Sequence, residues 1–82
     1  MKEFRLRISK HCIEDTAKKR YRDLLNYLLK NDDEEKEAEL ELLREFLEKV
    51  DFRELRRLGY DGSRDVEVLI RKADSNFEII EI

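Results

Sequence analysis

The sequence predicts an α+β fold in which a three-stranded antiparallel-type sheet is covered on one face by an antiparallel helical hairpin plus a short third helix, in the order β-α-α-α-β-β. Apolar and charged residues alternate near the start of the chain and twice more at its end, the period of half-buried strands. Between these stretches the apolar residues recur at three- and four-residue steps, the period of helices lying on a core. The period changes at Ser, Asp, Asn and Gly, residues that cap helices and make turns.

The first strand is EFRLRI, residues 3 to 8, with Phe4, Leu6 and Ile8 on one side and Glu3, Arg5 and Arg7 on the other. The first helix follows to about Lys30, with a stripe of Ile13, Ala17, Tyr21, Leu24 and Leu28. Ser9 is the expected N-cap, and Ile8 with Ile13 is placed to staple the helix entrance. The second helix starts in NDDEEKEAELELL, where Asp32 and Glu35 have capping-box spacing and the acids suit the positive end of the helix dipole. Its stripe is Leu40, Leu43, Phe46, Leu47 and Val50, and the short connection makes the two helices an antiparallel pair.

Continued unbroken, the second helix would turn Phe52 away from that stripe, so a break is expected near Asp51. Asp51 and Glu54 repeat the capping spacing and Gly59 supplies a C-terminal stop, which gives a short helix over residues 52 to 58, left by the turn Tyr60-Asp61-Gly62-Ser63. The tail DVEVLIRKADSNFEIIEI is a hairpin about Asp74-Ser75-Asn76. Setting Lys72 opposite Phe77 pairs Leu69 with Ile80, Ile70 with Ile79, Arg71 with Glu78 and Glu67 with Ile82. Val66, Val68, Ile70, Phe77 and Ile79 then face inward, and Leu69, Ile80 and Ile82 lie together among charges on the outer face.

A chain of 82 residues holds one modest core, and residues 1 to 82 are expected to form a single α+β domain without a cavity for a bulky cofactor; none is expected. The 18 basic and 21 acidic side chains nearly cancel, to a net charge of −3, which provides no overall field for wrapping duplex nucleic acid. No apolar run is long enough for a membrane span and MKEFRLRIS has no signal-peptide core, so a soluble, cytoplasmic protein with no membrane partner is expected. The lack of Pro, Trp and Gln beside abundant Glu, Lys and Arg fits a thermophile-like or designed chain.

His11 and Cys12 are the only residues of their kinds, and adjacent. Neighbouring helical side chains diverge by about 100°, and there is no second His or Cys to complete a metal site or an acid-base pair. No catalytic or metal residue is assigned. Arg20 falls on the apolar arc of the first helix, where its stem can pack on the core and its guanidinium can reach a carboxylate such as Glu39. A functional alternative makes it an anion or RNA contact in the cleft beside the sheet. The phenylalanines Phe4, Phe46, Phe52 and Phe77 all sit at core phase, which leaves few rings for stacking on bases.

The segments FRLRISKHCIEDTAKK and DVEVLIRKADSNFEIIEI, with a helical hairpin between them, resemble the RelE/ParE-type toxin superfamily. Its members are small ribosome-dependent endoribonucleases or gyrase poisons built from a strand, two helices and an antiparallel sheet. The resemblance implies that Arg64, Arg71 and Lys72 are the nearest candidates for RNA contacts, alongside Arg20; the family's fourth strand and following tail have no counterpart in the pattern here. A ribbon-helix-helix DNA binder, with Arg5 and Arg7 reading the major groove, is a further alternative. The residues themselves favour a non-enzymatic interaction module that pairs with itself or with another protein through the outer sheet face, at Leu69, Ile80 and Ile82, or through a strand edge. Nucleic acid is a possible but not a favoured partner.

Overall fold

A computed structural model describes residues 3–82. The elements run β1 (Glu3–Ile8), α1 (Ile13–Leu28), α2 (Glu34–Lys49), α3 (Phe52–Arg57), β2 (Val66–Ala73) and β3 (Asn76–Glu81). The sheet order is β1-β2-β3 with both pairings antiparallel, so β2 is central and the other two strands are edges.

Alternation along β1 translates directly into packing. Phe4, Leu6 and Ile8 are buried and Glu3, Arg5 and Arg7 exposed. Across the ladder Phe4 faces Ile70, Leu6 faces Val68 and Ile8 faces Val66. The same side of the sheet receives Ile13, Ala17 and Leu24 of α1 and Leu42, Leu43 and Phe46 of α2, all in one core. Burial of each large aliphatic or aromatic side chain contributes on the order of 2 kcal/mol, enough to hold two helices that have little stability alone. Phe46 is the hub: the rings of Phe4, Phe52 and Phe77 meet it edge-on at centroid distances of 5.6, 5.4 and 5.4 Å. It thereby ties β1, α3 and β3 to α2.

The hairpin register is the expected one, with Lys72 opposite Phe77, Leu69 opposite Ile80 and Ile70 opposite Ile79. Asp74 adopts the left-handed backbone (φ 55°) that a two-residue turn between twisted strands requires. The short third helix is also where the spacing puts it, and Asp51 Oδ1 accepts from the backbone N–H groups of Arg53 and Glu54 at 3.1 and 3.3 Å.

Two caps differ from expectation. Helix α1 begins at Ile13 with Cys12 at the N-cap, and Ser9 does not cap it. Lys10 turns left-handed (φ 69°) between β1 and α1, and the free N–H of Ile13 donates to the carbonyl of Tyr60 at 3.0 Å, so the main chain of a distant loop does the work assigned to a serine hydroxyl. In α2 the cap is Asp33, not Asp32: its Oδ1 accepts from the N–H of Lys36 at 3.2 Å. Either Asp has acids following it, and the longer 29–33 connection selects the second.

The loop after α3 locks that first joint. Gly62 (φ 92°) lies so close to His11 that a Cβ there would come within 2.7 Å of the His11 carbonyl carbon. Asp61 accepts from the N–H and hydroxyl of Ser63 at 3.0 and 2.7 Å, which fixes the turn and holds the Asp61 carboxyl below its usual pKa. Tyr60, read in the sequence only as a turn residue, is a buried member of the core.

Candidate interaction surface: the uncovered face of the sheet

The helices occupy one side of the sheet; the other is built of every second strand residue. Across the strands these form three rows: Glu3, Arg71 and Glu78; then Arg5, Leu69 and Ile80; then Arg7, Glu67 and Ile82. The last position of the third row follows from the N–H of Ile82, which donates to the Glu67 carbonyl at 2.9 Å. Leu69, from the central strand, is at the centre of the array. It is half-buried by its neighbours, whereas Ile80 is 38% and Ile82 63% exposed. The three arginines and three glutamates balance, so the face is neutral with an aliphatic patch from its centre to one corner.

Structure thus brings Leu69, Ile80 and Ile82 together, and it scatters the four cations considered for RNA. Arg20 lies in the seam between α1 and α2, where its Nε donates to Glu39 Oε2 at 2.7 Å; the carboxylate is 14% exposed, and this hydrogen bond strengthens the arginine's hold on its proton. Arg64 is clamped at the end of β3, with Nη1 and Nη2 on the two carboxylate oxygens of Glu81 at 3.1 and 2.7 Å. The hydroxyl of Tyr60 donates to the same carboxylate at 3.1 Å. Hydrogen bonds from Arg64 and then Tyr60 draw the Glu81 carboxyl below its usual range, and burial, then the hydrogen bond to Glu81, raises the Tyr60 phenol. Lys72 Nζ forms an ion pair at 2.7 Å with Glu45 Oε2, an oxygen shielded from solvent that accepts no aligned hydrogen bond, and the lysine lowers the Glu45 pKa. Arg71 stands between Glu3 and Glu78 on the uncovered face. Each of the four is beside carboxylates, and they share no common cleft.

His11 is exposed and Cys12 half-buried at the head of α1. Among the described residues no three His, Cys, Asp or Glu side chains converge as a metal site would require, and no helix is long and apolar enough to cross a membrane.

A second surface is one whose two basic halves the sequence shows and whose meeting it does not. Along the free edge of β1, beside α1, run adjoining clefts of about 270 and 590 Å³ that share Arg7, Thr16 and Lys19 as lining. Their walls gather six cations, Arg5, Arg7, Lys18, Lys19, Arg20 and Arg22, against only Asp15 and Asp23. The signal was divided between residues 5–7 and residues 15–23, and only the placement of β1 at an edge joins the two.

Among known proteins, a family model matches residues 1–80 of the chain. An uncharacterized protein of Archaeoglobus fulgidus is 53% identical over 81 residues, covering 94% of this chain and 95% of that one. No solved structure matches it. The chain therefore belongs to the family that this model defines, a membership that runs from β1 to all but the last residue of β3.

Proposed function

We propose that the protein is a non-enzymatic interaction module that associates with a second copy of itself through the uncovered face of its sheet. The observation that carries this reading is the position of Leu69 at the centre of a charge-balanced array, contiguous with Ile80 and Ile82. Water is displaced from apolar surface when two such faces meet, which favours association. Balance of charge also matters, because a face of one sign would repel its own copy, whereas a two-fold axis through the array can set arginines of one protomer against glutamates of the other.

Size sets the strength. With strands about 4.8 Å apart and same-face neighbours about 6.8 Å apart, nine positions span roughly 300 Å², against roughly 800 Å² per partner in a standard interface. The association is therefore weak and depends on concentration. Chromatography with light scattering over a wide concentration range tests it: the mass rises toward twice the 10.0 kDa of the chain, and Leu69→Lys or Ile80→Lys returns it to the single-chain value. A mass that stays at one chain across the range contradicts the proposal.

A further inference from the structure

We infer that the free edge of β1, together with the basic wall of α1 beside it, takes an extended acidic peptide of a protein partner as a fourth strand. This extends the interaction reading to a second surface and does not depend on the dimer.

The backbone comes first. The bond from Ile82 N–H to the Glu67 carbonyl shows that odd-numbered residues of β2 spend their main-chain groups on β3. In an antiparallel ladder the groups alternate sides, so the even-numbered residues of β2 serve β1, through their partners Phe4, Leu6 and Ile8. Arg5 and Arg7 consequently point their N–H and C=O groups outward from the sheet, and among the described residues no loop or turn hydrogen bond takes these up. They form a short template for another strand.

Charge then selects the guest. The clefts along this edge are lined by six cations and two carboxylates, and the excess remains positive after Glu39 and Glu14 are set against Arg20 and Lys18, in a chain whose total is −3. Arg5, Arg7 and Arg22 enter no ion pair among the described residues, and the pairs of Lys18 with Glu14 and Lys19 with Asp23 are exposed. A second copy of β1 is a poorer guest, since every antiparallel register that keeps the charged sides together and pairs both Arg5 and Arg7 within Glu3–Ile8 sets at least one arginine against another, and like charges facing across strands are destabilising. A single-stranded nucleic acid would find no Phe, Tyr or Trp on the walls to stack on. An acidic strand fits both features. Glutamates opposite Arg5 and Arg7 would lie on the uncovered side of the guest, and glutamates two positions to either side of an aliphatic residue opposite Leu6 would turn toward α1, where Lys19 and Arg22 stand. The chain already uses this pattern on the other side of β1, where Glu67 faces Arg7 and Val68 faces Leu6.

The test uses the full chain at a concentration where light scattering reports a monomer, with an acetylated and amidated peptide Ser-Glu-Glu-Val-Glu-Glu-Ser, acidic on both faces, in low salt. On titration, the amide signals of Arg5 and Arg7 shift and gain protection from hydrogen exchange, and added salt weakens the binding. Lys19→Glu/Arg22→Glu, which alters α1 and leaves the uncovered face intact, lowers affinity by about tenfold or more with an unchanged circular dichroism spectrum. A peptide with Lys in place of Glu does not bind. Unmoved Arg5 and Arg7 amides at saturating peptide, equal binding of the lysine peptide, or occupation of the clefts by a single-stranded RNA oligonucleotide but not by the acidic peptide would each overturn the inference.

Discussion

Leu69 of β2 lies directly opposite Ile80 of β3 on the side of the sheet that no helix covers, and Ile82 extends the pair to the end of the strand. Three contiguous aliphatic side chains in this position cost solubility without adding to the core beneath α1 and α2. As concentration rises, the methyl signals of Leu69, Ile80 and Ile82 should broaden or shift together. Those of Leu25, exposed on α1, and Leu29, exposed at its C-cap, should stay in place; coordinated change in these methyls instead would move the contact surface to the helix.

Gly62 tests the joint between β1 and α1. It combines a positive φ with a main-chain approach to His11 that leaves no room for a methyl group. Gly62→Ala should destabilise the fold by about 2 kcal/mol or more, which for a domain of this size lowers the melting temperature by about 10 °C. A thermal melt within a degree or two of the wild type would show that the loop shifts freely.

Phe46 is fully buried and meets three other phenylalanine rings. Phe46→Leu keeps an apolar side chain yet gives up the edge-on contacts, and should cost about 1 to 3 kcal/mol; Phe46→Ala should cost about 3 to 5 kcal/mol. Urea denaturation monitored by circular dichroism gives both values, and a loss below 1 kcal/mol for the alanine variant would deny Phe46 its place as hub.

The carboxylates of Glu81 and Glu45 are held below their ordinary pKa of 4.5, chiefly by hydrogen bonds from Arg64 and by the close Lys72 ammonium respectively. A depressed folded-state pKa means that the unfolded chain binds protons first as the solution is acidified. Their contribution is thus complete above the ordinary carboxylate range and is lost as pH falls through their lower folded-state values. Glu81→Gln should flatten the acid limb of stability against pH, measured as urea midpoints between neutral and strongly acid pH, with little change in slope at neutral pH. An acid limb identical to that of the wild type would mean that Arg64 does not favour the ionised form of Glu81 in solution.

Much of this architecture was legible because short-range patterns and long-range packing agree. EFRLRI could be half-buried only as a strand, and the hairpin register followed from matching Leu69 to Ile80 and Ile70 to Ile79. The pairing of Arg20 with Glu39 followed from a charge on an apolar arc facing an antiparallel helix. The cap of α1 was not legible, because the group that satisfies Ile13 is a main-chain carbonyl 47 positions away, at Tyr60. Burial of Tyr60 and Leu42 was missed for a related reason: each lies off the regular stripe and is covered by a neighbouring element. The uncovered face could be read from alternation alone, whereas the basic edge cleft required knowing that β1 is an outer strand.

Sedimentation equilibrium of the wild-type chain beside Leu69→Lys and Leu58→Lys tests the central claim most directly. Leu58 is 61% exposed but lies after α3, away from the sheet face, so its variant controls for loss of any surface leucine. Reversible self-association in the wild type and in Leu58→Lys, abolished in Leu69→Lys, is the predicted result. Equal association of all three chains, or a monomer throughout, would contradict it.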